Sequence, residues 1–200
     1  MIFILLKFRF GKNNRDNIKA VVGLGNPGKK YSNTRHNIGF KVIEELGSRY
    51  VIEKEETKYD TIIGHIRIGN KKVLLVKPLT YMNLSGRAIK PVINWYKIDL
   101  NNLIVIYDDM DLSPGCLRIR ADGGTGGHKG MMSVCESLGA KDFPRIRIGI
   151  GRAPEGVIPW VLGEFSDEEK IIINATVKKA GDAVDCWVKN GIAAAMNAYN

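Results

Sequence analysis

The stretch Ala20-Val-Val-Gly-Leu-Gly-Asn26-Pro-Gly-Lys-Lys-Tyr31-Ser-Asn-Thr-Arg-His36-Asn-Ile-Gly-Phe40 decides how this chain folds. Its opening residues, Ala20 to Leu24, form a short apolar run of β type, which glycine, asparagine and proline then stop. A loop carrying Tyr31, His36 and the cations Lys29, Lys30 and Arg35 follows. Apolar residues return at Ile38, Val42, Ile43 and Leu46, the spacing of a helix packed on a core. His36 is therefore expected at a strand-loop-helix junction, in the first turn of the helix. Open α/β sheets bind ligands at such junctions, beyond the carboxyl ends of their strands.

Working outward, Thr61 to Ile68 and Lys72 to Val76 read as strands around Gly69-Asn70, a hairpin signal. The polar segment Thr80 to Gly86 opens a helix through Ile89, Val92, Ile93 and Tyr96, with Pro91 a poor fit to its interior. Leu103 to Tyr107 is continuously apolar, like a strand covered on both faces, and runs into Asp108-Asp-Met-Asp111. Further strands are expected at Cys116 to Arg120 and Arg145 to Ile150, with a helix over Met131 to Leu138. Ser166 and Glu169 have the spacing of a capping box ahead of a long helix to about Lys189, and Ile192 to Tyr199 reads as a last short helix. Strands alternating with helices predict an α/β single domain with a mixed, mostly parallel sheet flanked by helices.

The 200 residues, 44% of them apolar, suffice for one domain with a real core. A formal charge of +9 favours an anionic partner such as nucleic acid. Cys116, Cys135 and Cys186 are odd in number and widely spaced, so neither a disulfide framework nor a metal cluster is indicated, and a reducing cytoplasm fits best. Residues 1–17 read as an extension ahead of a domain that begins near Ile18, with an extra edge strand as the alternative. Their apolar core, Ile2 to Leu6, is too short for a signal peptide or a membrane span.

Gly23-Leu-Gly25-Asn-Pro-Gly28 matches the dinucleotide fingerprint G-x-G-x-x-G, but the fingerprint requires a helix to open at the second glycine, and here about ten loop residues intervene. Asp108, Asp109 and Asp111 fit either a magnesium site or a strand end with one carboxylate facing a pocket. If His36 meets Asp108, the pair reads as a general base and its orienting anion. No G-x-S-x-G elbow is present, so water is the expected nucleophile. The glycine run Gly123 to Gly130 is consistent with a phosphate cradle or with a flexible loop. His65 reads as structural, and His128 is open to either reading.

In order along the chain, Gly-Leu-Gly-Asn26-Pro-Gly, Tyr31-Ser-Asn-Thr-Arg-His36-Asn, Tyr81-Met-Asn83-Leu-Ser-Gly, Asp108-Asp-Met-Asp-Leu, Gly126-Gly-His-Lys-Gly and Arg145-Ile-Arg-Ile-Gly-Ile-Gly closely resemble the motifs of bacterial-type peptidyl-tRNA hydrolases. The resemblance runs from about Lys19 to the end of the sequence and leaves out residues 1–17. It implies a catalytic domain over residues 18–200 that hydrolyses the ester between a peptide and the 3′ ribose of tRNA. His36 then corresponds to the general base on water and Asp108 to its orienting carboxylate. Asn26 corresponds to the group that tells N-blocked from free aminoacyl substrates. Tyr31, Tyr81 and Asn83 fall at substrate-contact positions, and Arg120 and Arg147 at cations that grip tRNA phosphate. The family implies no metal, no cofactor, no membrane partner, a cytoplasmic location and a monomer.

One residue departs from the family pattern. Lys129 stands where the glycine loop usually carries asparagine, and an ammonium donates hydrogen bonds but accepts none. Lys129 is expected to keep a substrate contact while losing any water-positioning role of the amide. Two rival classes are an RNA-binding protein on the same fold without the chemistry and a nicotinamide-dependent oxidoreductase.

Overall fold

A computed structural model of the chain describes residues 18–152 and 156–200. The expected N-terminal extension lies outside the described residues. The apolar run at Ala20 becomes β1 (Ile18–Gly23), the central strand of a sheet. It pairs in parallel with β4 (Lys71–Pro78) on one side and β5 (Leu103–Asp109) on the other. The sheet is completed by β2 (Lys54–Lys58), β3 (Thr61–Ile68), β6 (Leu117–Arg120) and β7 (Arg145–Gly149), in the order β2-β3-β4-β1-β5-β7-β6. The three parallel pairings run through the centre and the three antiparallel ones lie at the edges, which makes the sheet mixed.

Helices cover both faces, and so the central strands are apolar without alternation. Val21, Leu75, Ile104 and Ile106 point toward α1 (Ile38–Arg49), α5 (Asp167–Asn190) and α6 (Ile192–Tyr199). Ala20, Val22, Val76 and Val105 point the other way, toward α2 (Ser85–Tyr96) and α3 (Lys129–Leu138). Each fully buried valine, leucine or isoleucine contributes about 1.5–3 kcal/mol relative to exposure. A shorter helix, α4 (Val157–Val161), precedes α5. Pro91 lies inside α2, which continues past it to Tyr96.

Two elements have no counterpart among the sequence expectations. β2 is Lys-Glu-Glu-Thr-Lys, an edge strand without an apolar residue, held by antiparallel pairing with β3 across a turn in which Tyr59 and Asp60 both have φ 54°. The brief apolar run of α4 carries no periodicity long enough to identify a helix.

The glycines of the fingerprint-like run serve packing. A Cβ on Gly23 would come 2.2 Å from the Gly39 carbonyl oxygen, and one on Gly39 would come 2.5 Å from that of Ile106. The start of α1 thus rests directly on β1 and β5. No helix opens at Gly25, because two 3-10 turns, Lys29–Tyr31 and Arg35–Asn37, come first. This arrangement places His36 over the carboxyl end of β5.

Candidate active site

Asp108 is near the end of β5 and only 2% exposed. His36, in the turn that leads into α1, brings Nδ1 to 2.9 Å from both carboxylate oxygens. An ionised carboxylate only accepts, so Nδ1 carries the proton and Nε2 is left with its lone pair. Burial alone would push the Asp108 carboxyl up, but His128 and His36 beside it more than offset burial and hold it below the usual carboxylate range. His128, open to either reading in the sequence, places Nε2 at 2.9 Å from Asp108 Oδ1. Arg35 anchors the turn that presents His36. Its guanidinium lies 3.9 Å from the Trp160 ring centroid and pairs at 2.8 Å with Glu169. The same glutamate oxygen accepts from the Ser166 N–H in the capping box of α5.

Asn26 is fixed from two directions. Its backbone exchanges two 2.9 Å hydrogen bonds with the Asn37 side chain, and its own Oδ1 accepts the Met82 N–H at 2.8 Å. With Oδ1 occupied, Nδ2 is the donor available to a ligand. Asn26, His36 and Asp108 line a cavity of about 520 Å³, and so do Tyr81, Asn83 and Lys129. Tyr31 is outside that lining but meets Tyr81 edge to face, ring centroids 6.4 Å apart. Exposed Val157, Ile158 and Leu162 form an apolar wall.

A second cavity of about 340 Å³ holds Arg120 and Arg147 and shares Tyr107, Asp109 and Gly126 with the first. Arg147 donates through Nε to Asp109 at 2.5 Å, which raises the guanidinium pKa. Arg145 is buried, and its donors go to the carbonyls of Gly123, Gly124, Lys141 and Phe143, so it braces the glycine run. The same guanidinium also meets the Tyr107 phenol and lines the second cavity beside Arg120 and Arg147.

The aspartate run does not converge as a magnesium site would require. Asp108 faces two histidines, Asp109 faces Arg147 and Asp111 faces Arg152 at 2.8 Å. His36, Asp108 and His128 do present ligand atoms within 4.8 Å of one another, a spacing a metal could bridge. Those atoms already satisfy each other as hydrogen-bond donors and acceptors. His65 is remote from all of this, bound to Glu56 at 2.8 Å.

Residues 20–200 match the family model described as peptidyl-tRNA hydrolase. This chain belongs to the peptidyl-tRNA hydrolase family. A relative of that name from Syntrophomonas wolfei is 67% identical over 183 residues, which cover 92% of this chain and 100% of the relative. Another, from Desulforamulus reducens, is 48% identical over 92% of this chain and 89% of its own length. The crystal structure of peptidyl-tRNA hydrolase from Acinetobacter baumannii superposes with a TM-score of 0.86 at 35% identity, covering 92% of this chain and 97% of that one. Among the described residues, no helix is long and apolar enough to cross a membrane.

The structure brings His36, Asp108 and Asn26 to one cavity and gathers Arg120 and Arg147 in the adjoining one. The sequence left His128 open, offered Asp109 only within a magnesium site or a strand-end turn, and did not single out Asn37. Histidine is not a preferred N-cap residue, and an asparagine that clamps a distant backbone has no spacing signature.

Proposed function

We propose that this enzyme hydrolyses the ester joining a peptide, or an N-blocked aminoacyl group, to tRNA, through His36 acting as general base on water. The observation that carries the proposal is the His36 imidazole held at 2.9 Å by a buried carboxylate at the edge of the cavity, in a chain of this family. Nε2 removes a proton as water attacks the ester carbonyl. Asp108 keeps the ring oriented and stabilises the imidazolium. Collapse of the tetrahedral intermediate breaks the bond to the ribose 3′ oxygen, which takes the proton from the imidazolium. Free tRNA and a peptide carboxylate leave.

Asn26 Nδ2 donates to the peptide backbone next to the scissile ester, which distinguishes blocked from unblocked substrates. Its position also lets it donate to charge developing on the carbonyl oxygen. Tyr31, Tyr81 and Asn83 shape the approach of the acceptor end. Arg120 and Arg147 grip tRNA phosphate through charge, independent of base sequence. Lys129 contacts the same substrate from the first turn of α3. The enzyme acts as a monomer in the cytoplasm.

The test is release of tRNA from N-acetyl-aminoacyl-tRNA and from its unblocked counterpart, with chelator present. Wild-type enzyme cleaves only the blocked substrate, and His36→Ala loses nearly all turnover while binding tRNA with almost unchanged affinity. Full turnover by His36→Ala overturns the assignment of the base. Binding without cleavage by the wild type moves the chain to the RNA-binding class.

A further inference from the structure

His128 stands at the N-cap of α3, directly after the glycine run, and its ring makes two hydrogen bonds of different kinds. Nδ1 accepts the Met131 N–H at 3.2 Å, capping the helix, and Nε2 meets Asp108 Oδ1 at 2.9 Å. A nitrogen that accepts a backbone N–H carries no proton of its own, so the proton sits on Nε2 and points at the carboxylate. Protonating Nδ1 would set two N–H groups against each other and break the cap. The cap holds the ring in this state against the Asp108 anion, which by itself favours the imidazolium. Asp108 and Tyr107 face it from β5, His36 faces it from the turn ahead of α1, and Lys129 follows it on α3. The Tyr107 ring stands edge-on at 5.0 Å between centroids and the His36 ring at 5.1 Å.

We propose that His128 is a positioning residue for the reaction: its neutral tautomer, fixed by the cap of α3, donates to Asp108 Oδ1 and holds the carboxylate on His36. The proposal rests on the hydrolytic reading above. Asp108 Oδ1 receives both histidines while Oδ2 receives His36 alone, so His128 fixes the rotation of the carboxylate about its last bond. Because the ring is neutral, the trio carries one negative charge, and that whole charge faces the imidazolium as it forms. A charged His128 would divide it between two cations. The cap and the dyad thereby form one unit, and the position of the glycine run is transmitted to the base.

Two substitutions separate the two halves of the ring. His128→Asn puts an oxygen near the place of Nδ1 and caps well, yet is too short to reach Asp108. His128→Gln reaches Asp108 as a neutral donor and is the poorer cap. The expected result for His128→Asn is a near wild-type melting temperature, a KM for N-acetyl-aminoacyl-tRNA within about twofold and a kcat lower by roughly tenfold to a hundredfold, the effect of one hydrogen bond to a charged group. His128→Gln recovers most of the kcat and melts earlier. Full kcat in His128→Asn reduces the histidine to a helix cap and overturns the proposal. Loss of kcat in His128→Gln equal to that in His128→Ala does the same. Nitrogen NMR of histidine-labelled wild type gives a readout independent of turnover, with protonated Nε2 and bare Nδ1 expected for His128 at pH 7. A doubly protonated ring also overturns it. Absence of cleavage by the wild type would count against the hydrolytic reading, and the NMR spectrum would still decide the tautomer.

Discussion

Two carboxylate-histidine clusters share this fold, and their distances scarcely differ. His36 meets Asp108 at 2.9 Å, and His65 meets Glu56 at 2.8 Å. Each carboxylate also has a second ring nearby, His128 on Asp108 and the Tyr96 phenol on Glu56. Their surroundings separate them. Asp108 is 2% exposed at the carboxyl end of a central strand, where a cavity opens beside it. The Glu56 side chain is 21% exposed on edge strand β2 and also accepts from Lys54 at 2.9 Å, so the cluster fastens the β2–β3 hairpin to the end of α2. Bond length alone therefore does not identify a catalytic pair. A base needs a free nitrogen facing space for substrate, and topology supplies that space.

Asp108→Asn should do the greatest damage. An amide can donate to His36 Nδ1 and so reverse the tautomer, leaving Nε2 protonated and unable to accept from water. A fall in kcat on the order of a thousandfold to ten-thousandfold is expected, with KM for blocked tRNA substrates little changed. A loss under about tenfold would show that the carboxylate is not needed to hold the base.

Much smaller is the effect of the matching change at the edge, Glu56→Gln. Turnover should match the wild type, while stability to denaturant falls by about 1.5–3 kcal/mol with the loss of charge-assisted hydrogen bonds. The pH dependence sharpens this result. Hydrogen bonds from Tyr96, Lys54 and His65 lower the Glu56 carboxyl from its ordinary 4.5 to about 2. A depressed carboxylate stabilises the fold above its unfolded value and stops doing so as pH falls through the folded one. The stability gap between wild type and Glu56→Gln should therefore be full above about pH 4.5 and close toward pH 2. A gap that persists unchanged at pH 2 would place its origin elsewhere than the ionised carboxylate.

The same contrast explains what was legible in the sequence. Val21 and Val22, the glycine-proline break and the return of helical spacing at Ile38 are local signals, and they put His36 at the junction of β1 and α1. It lies in the 3-10 turn Arg35–Asn37 ahead of α1, however, and not in the first turn of the helix as expected. Asp108 was legible because an apolar strand ending in aspartates is also local. β2 was not, since nothing in Lys-Glu-Glu-Thr-Lys favours a strand until β3 supplies a partner. His128 was not either. Its meaning depends on Asp108, twenty residues away in sequence, and on a helix cap made by an unusual residue type. Asn37 escaped for a related reason, being a buried amide whose clamp on Asn26 exists only in the folded loop.

The finest test of the contrast uses the lysines. Lys54 is paired with Glu56, whereas Lys129, one residue beyond His128, lines the cavity and has no ion pair among the described residues. An ammonium in the first turn of α3 opposes the helix dipole, a cost of about 0.3–1 kcal/mol that a bound phosphate would reverse. Lys129→Asn should accordingly leave kcat within about twofold and flatten the logarithmic dependence of KM on salt by roughly 0.7–0.9, the release of one counterion. Lys54→Asn, the control at the other cluster, should leave that slope alone. If both variants keep the wild-type slope, Lys129 does not touch phosphate, and its cation serves the substrate in some way that salt does not screen.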